Sequence, residues 1–83
     1  MIKQIKVGKP NGLKTSECAL LAQLAGKIKG EVFFVKSSKR VNAKSIMGLL
    51  SLNMKYNDTI HINISNDDNE NQEIIDKIIE AFQ

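Results

Sequence analysis

The chain has 83 residues, which fits one small domain spanning residues 1–83, because a chain of this length buries only roughly 60–65% of its unfolded surface. Its 42% apolar content is ordinary for a globular protein, while a net charge of +3 without aromatic–basic interleaving argues against nucleic-acid binding. A single cysteine excludes an internal disulfide, and with no signal peptide and no long apolar run we expect a cytoplasmic protein that binds no membrane, metal or cofactor.

The N-terminal part of the chain predicts a strand followed by a helix. Residues 2–7 are rich in β-branched residues and partly alternate, which is typical of a strand. Thr15 or Ser16 is a suitable N-cap for the helix, and Glu17 in its first turn complements the helix dipole. Gly26 and Gly30 mark the predicted end of the helix. Its apolar stripe repeats at helical spacing and comprises Cys18, Leu21, Ala22, Ala25 and Ile28.

The middle of the chain predicts a hairpin and a second helix. Residues 31–36 have high β propensity, and a turn leads from them into a short second strand over residues 40–43. Ser45 is predicted to cap a compact apolar helix that runs to about Leu52. Asn53 follows where a left-handed residue is expected to end that helix, a conformation that asparagine tolerates.

The C-terminal part predicts one more strand and one more helix. Residues 59–65 alternate cleanly, so their isoleucines share one face and His61 lies on the opposite, solvated face of the sheet. Asp67 or Asp68 is predicted to start the last helix. Its core stripe comprises Ile74, Ile75, Ile78, Ile79 and Phe82. The order β-α-β-β-α-β-α predicts an α+β fold, an open-faced two-layer sandwich with helices on one face of an antiparallel sheet.

Two stretches carry a resemblance to a known family. Residues 42–52 match, almost throughout, the regulatory segment of the HPr-like phosphocarrier family of the bacterial sugar phosphotransferase system. Residues 11–13 resemble the loop that precedes the active histidine of that family. The family pattern covers the whole chain without a gap. The resemblance implies a four-stranded sheet in the order 1-4-2-3 with three helices on one side.

The same resemblance places unusual residues in the carrier site. The family motif there is glycine, an apolar residue, histidine, any residue, arginine and proline. Lys14 stands at the histidine position, Ser16 at the arginine and Glu17 at the proline. Lysine is protonated near neutral pH and is a poor phosphoryl acceptor, and the guanidinium clamp for phosphate is lost. The resemblance therefore implies a non-catalytic family member that does not relay phosphate through histidine.

The regulatory segment implies a second site. Ser45 matches the serine that a dedicated kinase phosphorylates in Gram-positive members of the family. Ile46, Met47 and Leu50 lie on one side of its helix by spacing, and the resemblance assigns them, with Leu20, to a partner-binding surface. The partners implied are proteins: a serine kinase or phosphorylase, a transcriptional regulator, or enzymes of the phosphotransferase system.

Alternative interpretations stay open at each site. Ser45 would make a good N-cap in any helix, and the apolar residues beside it would suit the core of a small domain equally well. Lys14 is either a solvated lysine or part of a residual anion site, and Cys18 is either a small buried residue or a reactive thiol. The leading interpretation is a regulatory protein of catabolite repression. Its alternatives are a docking or decoy protein and a phosphocarrier that uses another residue.

Overall fold

The computed structural model describes residues 2–65 and 69–83. In chain order the elements are β1 (Ile2–Lys6), α1 (Thr15–Gly26), β2 (Val32–Lys36), β3 (Lys39–Asn42), α2 (Ile46–Ser51), β4 (Thr59–Ile64) and α3 (Gln72–Ala81). A 3-10 turn over Asn69–Asn71 precedes α3. The predicted order of strands and helices is confirmed. The predicted start of the last helix at Asp67 or Asp68 lies outside the described residues.

The four strands form an antiparallel sheet in the order β1-β4-β2-β3. β4 lies between β1 and β2, so that Ile60 pairs with Ile5 on one side and Ile62 pairs with Phe34 on the other. Burial along β4 alternates between half-buried and buried residues, as its sequence predicts. The open-faced sandwich with strand order 1-4-2-3 is therefore confirmed.

The core lies between the sheet and the three helices of the described chain. Phe34 of β2 and Phe82, just after α3, join the two layers, with ring centroids 5.8 Å apart. Of the predicted stripe of α3, Ile74 and Ile79 are only partly buried at its margins. The largest fully buried side chains are Phe34, Phe82, Leu21, Ile28, Leu49, Ile60, Ile62 and Ile78. Each large apolar side chain in this set contributes about 1.5–3 kcal/mol by burial.

The opposite face of the sheet carries His61, as its position out of phase with the isoleucines predicts. His61 is half-buried and pairs with Gln4 and Val35 on the neighbouring strands. On the same sheet, the guanidinium of Arg40 lies 3.7 Å from the ring centroid of Phe33. No helix in residues 2–65 or 69–83 has the length and apolar character needed to span a membrane.

Candidate functional site

The first turn of α1 is capped by a carboxylate. The helix begins at Thr15 with Lys14 as its N-cap, so the prediction of Thr15 or Ser16 as the cap is wrong. A lysine side chain has no acceptor, and Glu17 instead reaches back and accepts a hydrogen bond from the Lys14 backbone N–H at 2.8 Å. Hydrogen bonds from its own backbone N–H and from that of Lys14 lower the pKa of the Glu17 carboxyl group. A negative charge therefore already occupies this helix terminus.

The loop before Lys14 is held in place by the backbone. Gly12 has a φ of 73°, and a Cβ added there would lie 2.6 Å from the carbonyl oxygen of Met54. Directly after it, the backbone N–H of Leu13 donates to that same oxygen at 2.9 Å. Glycine is required because this close approach and the left-handed conformation coincide at one residue. The loop that carries Lys14 is thus tied to the segment that follows α2.

A cleft of about 530 Å³ opens between the start of α1 and that segment. Its apolar lining includes Leu13, Leu50 and Met54, and its cations are Lys14 and Lys55. Thr15, Asn11, Asn53 and Tyr56 add polar groups around the opening. The cleft combines apolar side chains with the two lysines Lys14 and Lys55, which suits a protein partner that presents acidic side chains near Lys55 and apolar ones beside them.

Ser45 caps α2 as predicted. Its Oγ accepts a hydrogen bond from the backbone N–H of Gly48 at 3.1 Å, and its own N–H donates to the carbonyl oxygen of Asn42 at 3.1 Å. A Cβ on Gly48 would lie 3.4 Å from the Ser45 Oγ, so the glycine leaves room beside the hydroxyl. Ser45 is half-buried, and its hydroxyl serves as an acceptor in this cap.

The residues after Ser45 separate into exposed and buried sides. Met47 is 76% exposed and Ile46 is 42% exposed, whereas Leu49 is fully buried. Leu50 is partly buried and lines the cleft near Lys14. Leu20 is exposed on α1 and lines a different depression, a groove of about 400 Å³ with Leu24, Lys77, Glu80 and Ala81. The four residues predicted for partner binding are therefore distributed over the rim of α2, the cleft and this α1–α3 groove.

Two lysine side chains bind backbone carbonyls at or just beyond the ends of helices. Lys44 Nζ donates to the carbonyl oxygens of Ile28 at 3.0 Å and Gly30 at 2.8 Å, beyond the end of α1. Lys39 Nζ donates to the Ser51 carbonyl at 3.0 Å, at the end of α2. The cation of Lys39 complements the dipole at the C-terminal end of α2, whereas Lys44 fixes the segment that follows α1. No local sequence signal identifies them, because each lysine reaches a carbonyl at least twelve residues away.

Cys18 lies in the core. Cys18 is completely buried on the apolar stripe of α1, and burial is the main reason that its thiol pKa is raised. It therefore packs as a small apolar residue rather than as a reactive thiol. Within residues 2–65 and 69–83, no three His, Cys, Asp or Glu side chains come together as a metal site would require.

Comparison with known proteins identifies the family. A family model described as the PTS HPr component phosphorylation site matches residues 1–83. The chain is 42% identical over 79 residues to the HPr-like protein Crh of Halalkalibacterium halodurans, covering 94% of each chain. It is 35% identical over 84 residues to the Crh of Bacillus subtilis, covering all of this chain and 96% of the relative.

A solved structure agrees with these matches. The crystal structure of the phosphocarrier protein HPr from Bacillus anthracis superposes with a TM-score of 0.85 at 34% identity, covering 100% of this chain and 96% of the other. The sequence matches and the structural superposition thus identify the same family over nearly the whole chain. The chain belongs to the HPr-like phosphocarrier family of the bacterial phosphotransferase system.

Proposed function

We propose that this protein is a regulatory member of its family, acting in the cytoplasm, and that a kinase phosphorylates it on Ser45. The observation that carries the proposal is the arrangement at the start of α2. A half-buried serine hydroxyl is held at the helix terminus, and the exposed side chains of Ile46 and Met47 follow it directly. A phosphate there would stand beside an adaptable apolar surface, a combination that protein partners can recognise.

Phosphorylation at Ser45 is compatible with the fold. The Ser45 Oγ acts as a hydrogen-bond acceptor towards the Gly48 N–H, and a phosphoserine has further acceptor oxygens for the same turn. The added negative charge also lies at the positive end of α2, a term worth roughly 0.3–1 kcal/mol. The modification would therefore add a docking feature without displacing the helix.

The proposal excludes phosphate relay through histidine. By the family resemblance Lys14 stands at the carrier position, and a protonated amine does not accept a phosphoryl group as imidazole does. The chain has a single histidine, His61, on the face of the sheet opposite the helices. The Glu17 carboxylate bound to the Lys14 N–H adds like-charge repulsion against an incoming phosphate. The family consists of phosphocarriers rather than catalysts, and this chain would be its serine-regulated, non-relaying form.

Intact-mass spectrometry tests the proposal in two incubations. With the serine kinase of the family and ATP, we expect one added phosphate in the wild type and none in Ser45→Ala. Ser51→Ala is the matched control, because Ser51 is in the same helix and its Oγ donates to the Gly48 carbonyl at 2.6 Å. With phosphoenolpyruvate and the general phosphotransferase enzyme, we expect no added phosphate. A labile phosphate in that second incubation would contradict the non-relaying role.

The cleft at Lys14 supports a second candidate, a docking or decoy protein for phosphotransferase enzymes. The backbone contacts that shape the loop before Lys14 are present, although by the family resemblance a lysine stands at the carrier position. Such a protein would bind the general enzyme and slow phosphate transfer to a true carrier. Titrating the wild type and Lys14→Glu into that transfer reaction distinguishes the two candidates. Inhibition that Lys14→Glu abolishes favours docking, and no inhibition by the wild type removes this candidate.

A further inference from the structure

The C-terminal end of α2 depends on a lysine from the neighbouring hairpin. α2 has only six residues, and a helix this short is marginal on its own because few hydrogen bonds offset the cost of nucleating it. Lys36 Nζ, at the end of β2, lies 3.2 Å from the carbonyl oxygen of Leu52 and 2.7 Å from that of Asn53. The ammonium group therefore binds the two carbonyls directly after α2, those of its C-cap Leu52 and of Asn53.

The same ammonium group forms an ion pair with a loop. Lys36 Nζ lies 2.7 Å from Asp58 Oδ2, and the two side chains are only 24% and 27% exposed. Asp58 Oδ2 also accepts a hydrogen bond from the backbone N–H of Lys55 at 2.8 Å. A charge pair with this little exposure, with further hydrogen bonds on both partners, is stronger than a surface ion pair. We call Lys36 and Asp58 the clamp, and residues 53–58 the wall loop.

The wall loop forms one side of the cleft at Lys14. Residues 53–56 line the cleft, and the Met54 carbonyl accepts the hydrogen bond from Leu13. Asn53 and Asn57 have φ angles of 51° and 72°, left-handed conformations that asparagine tolerates better than most non-glycine residues. Lys36 binds the carbonyl of Asn53, so the clamp contacts the wall loop at its first residue as well as at Asp58.

We propose that the clamp joins the Ser45 helix to the wall loop and thereby sets the geometry of the cleft at Lys14, although neither clamp residue lines that cleft. The end of α2 and the wall of the cleft share one ammonium group. A disturbance of either one is therefore transmitted to the other through Lys36. The inference goes beyond the proposed function, since it describes the unmodified chain and holds whether or not Ser45 is phosphorylated.

Amide hydrogen exchange by NMR tests the clamp in Lys36→Met, which keeps the aliphatic chain and removes the charge. We expect exchange at Leu13 and Lys55 to accelerate roughly tenfold beyond any change in global stability, because their hydrogen bonds depend on the wall loop. Chemical shifts of Lys14 and Tyr56 should change with them. The amide of Ile62, in the central strand, should follow global stability alone, which urea denaturation measures separately.

Lys39→Met is the matched control, because Lys39 caps the same helix end at Ser51 but has no bond to Asp58. It should leave the exchange of Leu13 at the wild-type rate. Asp58→Asn is the second variant, since it removes the ion pair and retains an oxygen for the Lys55 N–H. Combined with Lys36→Met, it should add little to the exchange rate of Leu13. Unchanged exchange at Leu13 in either clamp variant, or equal acceleration in Lys39→Met, would overturn the proposal.

Discussion

Replacing Gly12 with alanine tests whether the loop before Lys14 is held as the structure describes. The φ of 73° would place an L-residue in the left-handed region, which costs about 1–2 kcal/mol. The new Cβ would lie 2.6 Å from the Met54 carbonyl oxygen, a backbone atom that cannot rotate away. Relieving that contact lengthens the Leu13–Met54 hydrogen bond, now 2.9 Å, at a further cost of about 0.5–1.5 kcal/mol.

These terms sum to roughly 1.5–3.5 kcal/mol, from which about 0.4–1 kcal/mol is subtracted because alanine restricts the unfolded chain. The net loss in the free energy of unfolding is therefore about 0.5–3 kcal/mol. That is a large part of the stability of a domain of this size, about 4–12 kcal/mol. Urea denaturation followed by circular dichroism measures it, and a loss of 2 kcal/mol lowers the midpoint by roughly 1 M.

Gly26→Ala is the matched control, because Gly26 is the last residue of α1 and a Cβ there would meet no atom within 4 Å. Alanine has the higher helix propensity, so this variant should gain up to about 1 kcal/mol. The two glycine substitutions are thus expected to have opposite signs. A Gly12→Ala variant within about 0.5 kcal/mol of the wild type would refute the reasoning about the loop.

Three further predictions concern α2 and the wall loop. Ser45→Ala should lower the free energy of unfolding by about 0.5–2 kcal/mol in urea denaturation, because the Gly48 N–H loses its cap; no change would mean that the hydroxyl is not needed there. Leu49→Ala should cost about 2–5 kcal/mol in the same assay, whereas the exposed Met47→Ala should stay within about 0.5 kcal/mol, and equal losses would contradict their assignment to opposite sides of the helix. The side chain of Lys36 and the backbone N–H of Lys55 lower the pKa of Asp58. The ionised Asp58 carboxylate therefore stabilises the fold fully above its unfolded-state pKa, and this stabilisation is lost as the pH falls through the lower folded-state pKa. The stability difference between the wild type and Asp58→Asn should therefore shrink below about pH 4, and a difference that grows on acidification would give the opposite sign.

Local patterns in the sequence were sufficient for most of the fold. The alternation of residues 59–65 predicts a strand with one buried face. Every second residue of β4 is buried, because side chains on a strand point to alternate faces. The start of α2 is predicted from the capping hydroxyl of Ser45, and its end from the tolerance of Asn53 for a left-handed conformation. Ser45 is the N-cap and Asn53 has a positive φ, as predicted. The start of α1 was mispredicted because Glu17 caps Lys14 from three residues away, which makes a hydroxyl at Thr15 or Ser16 unnecessary.

The sequence by itself thus determined the order of the elements, the buried stripe of α1, the alternation of β4 and the capping role of Ser45. These follow from side-chain periodicity and capping chemistry, which act over a few residues. Only the tertiary structure decided which groups share a surface. It separates Leu20 from the cleft that Leu50 lines, and it joins Lys36 to Asp58 across 22 positions of the chain. Such contacts depend on how the strands pair and how the helices cross them, and no short-range pattern encodes that packing.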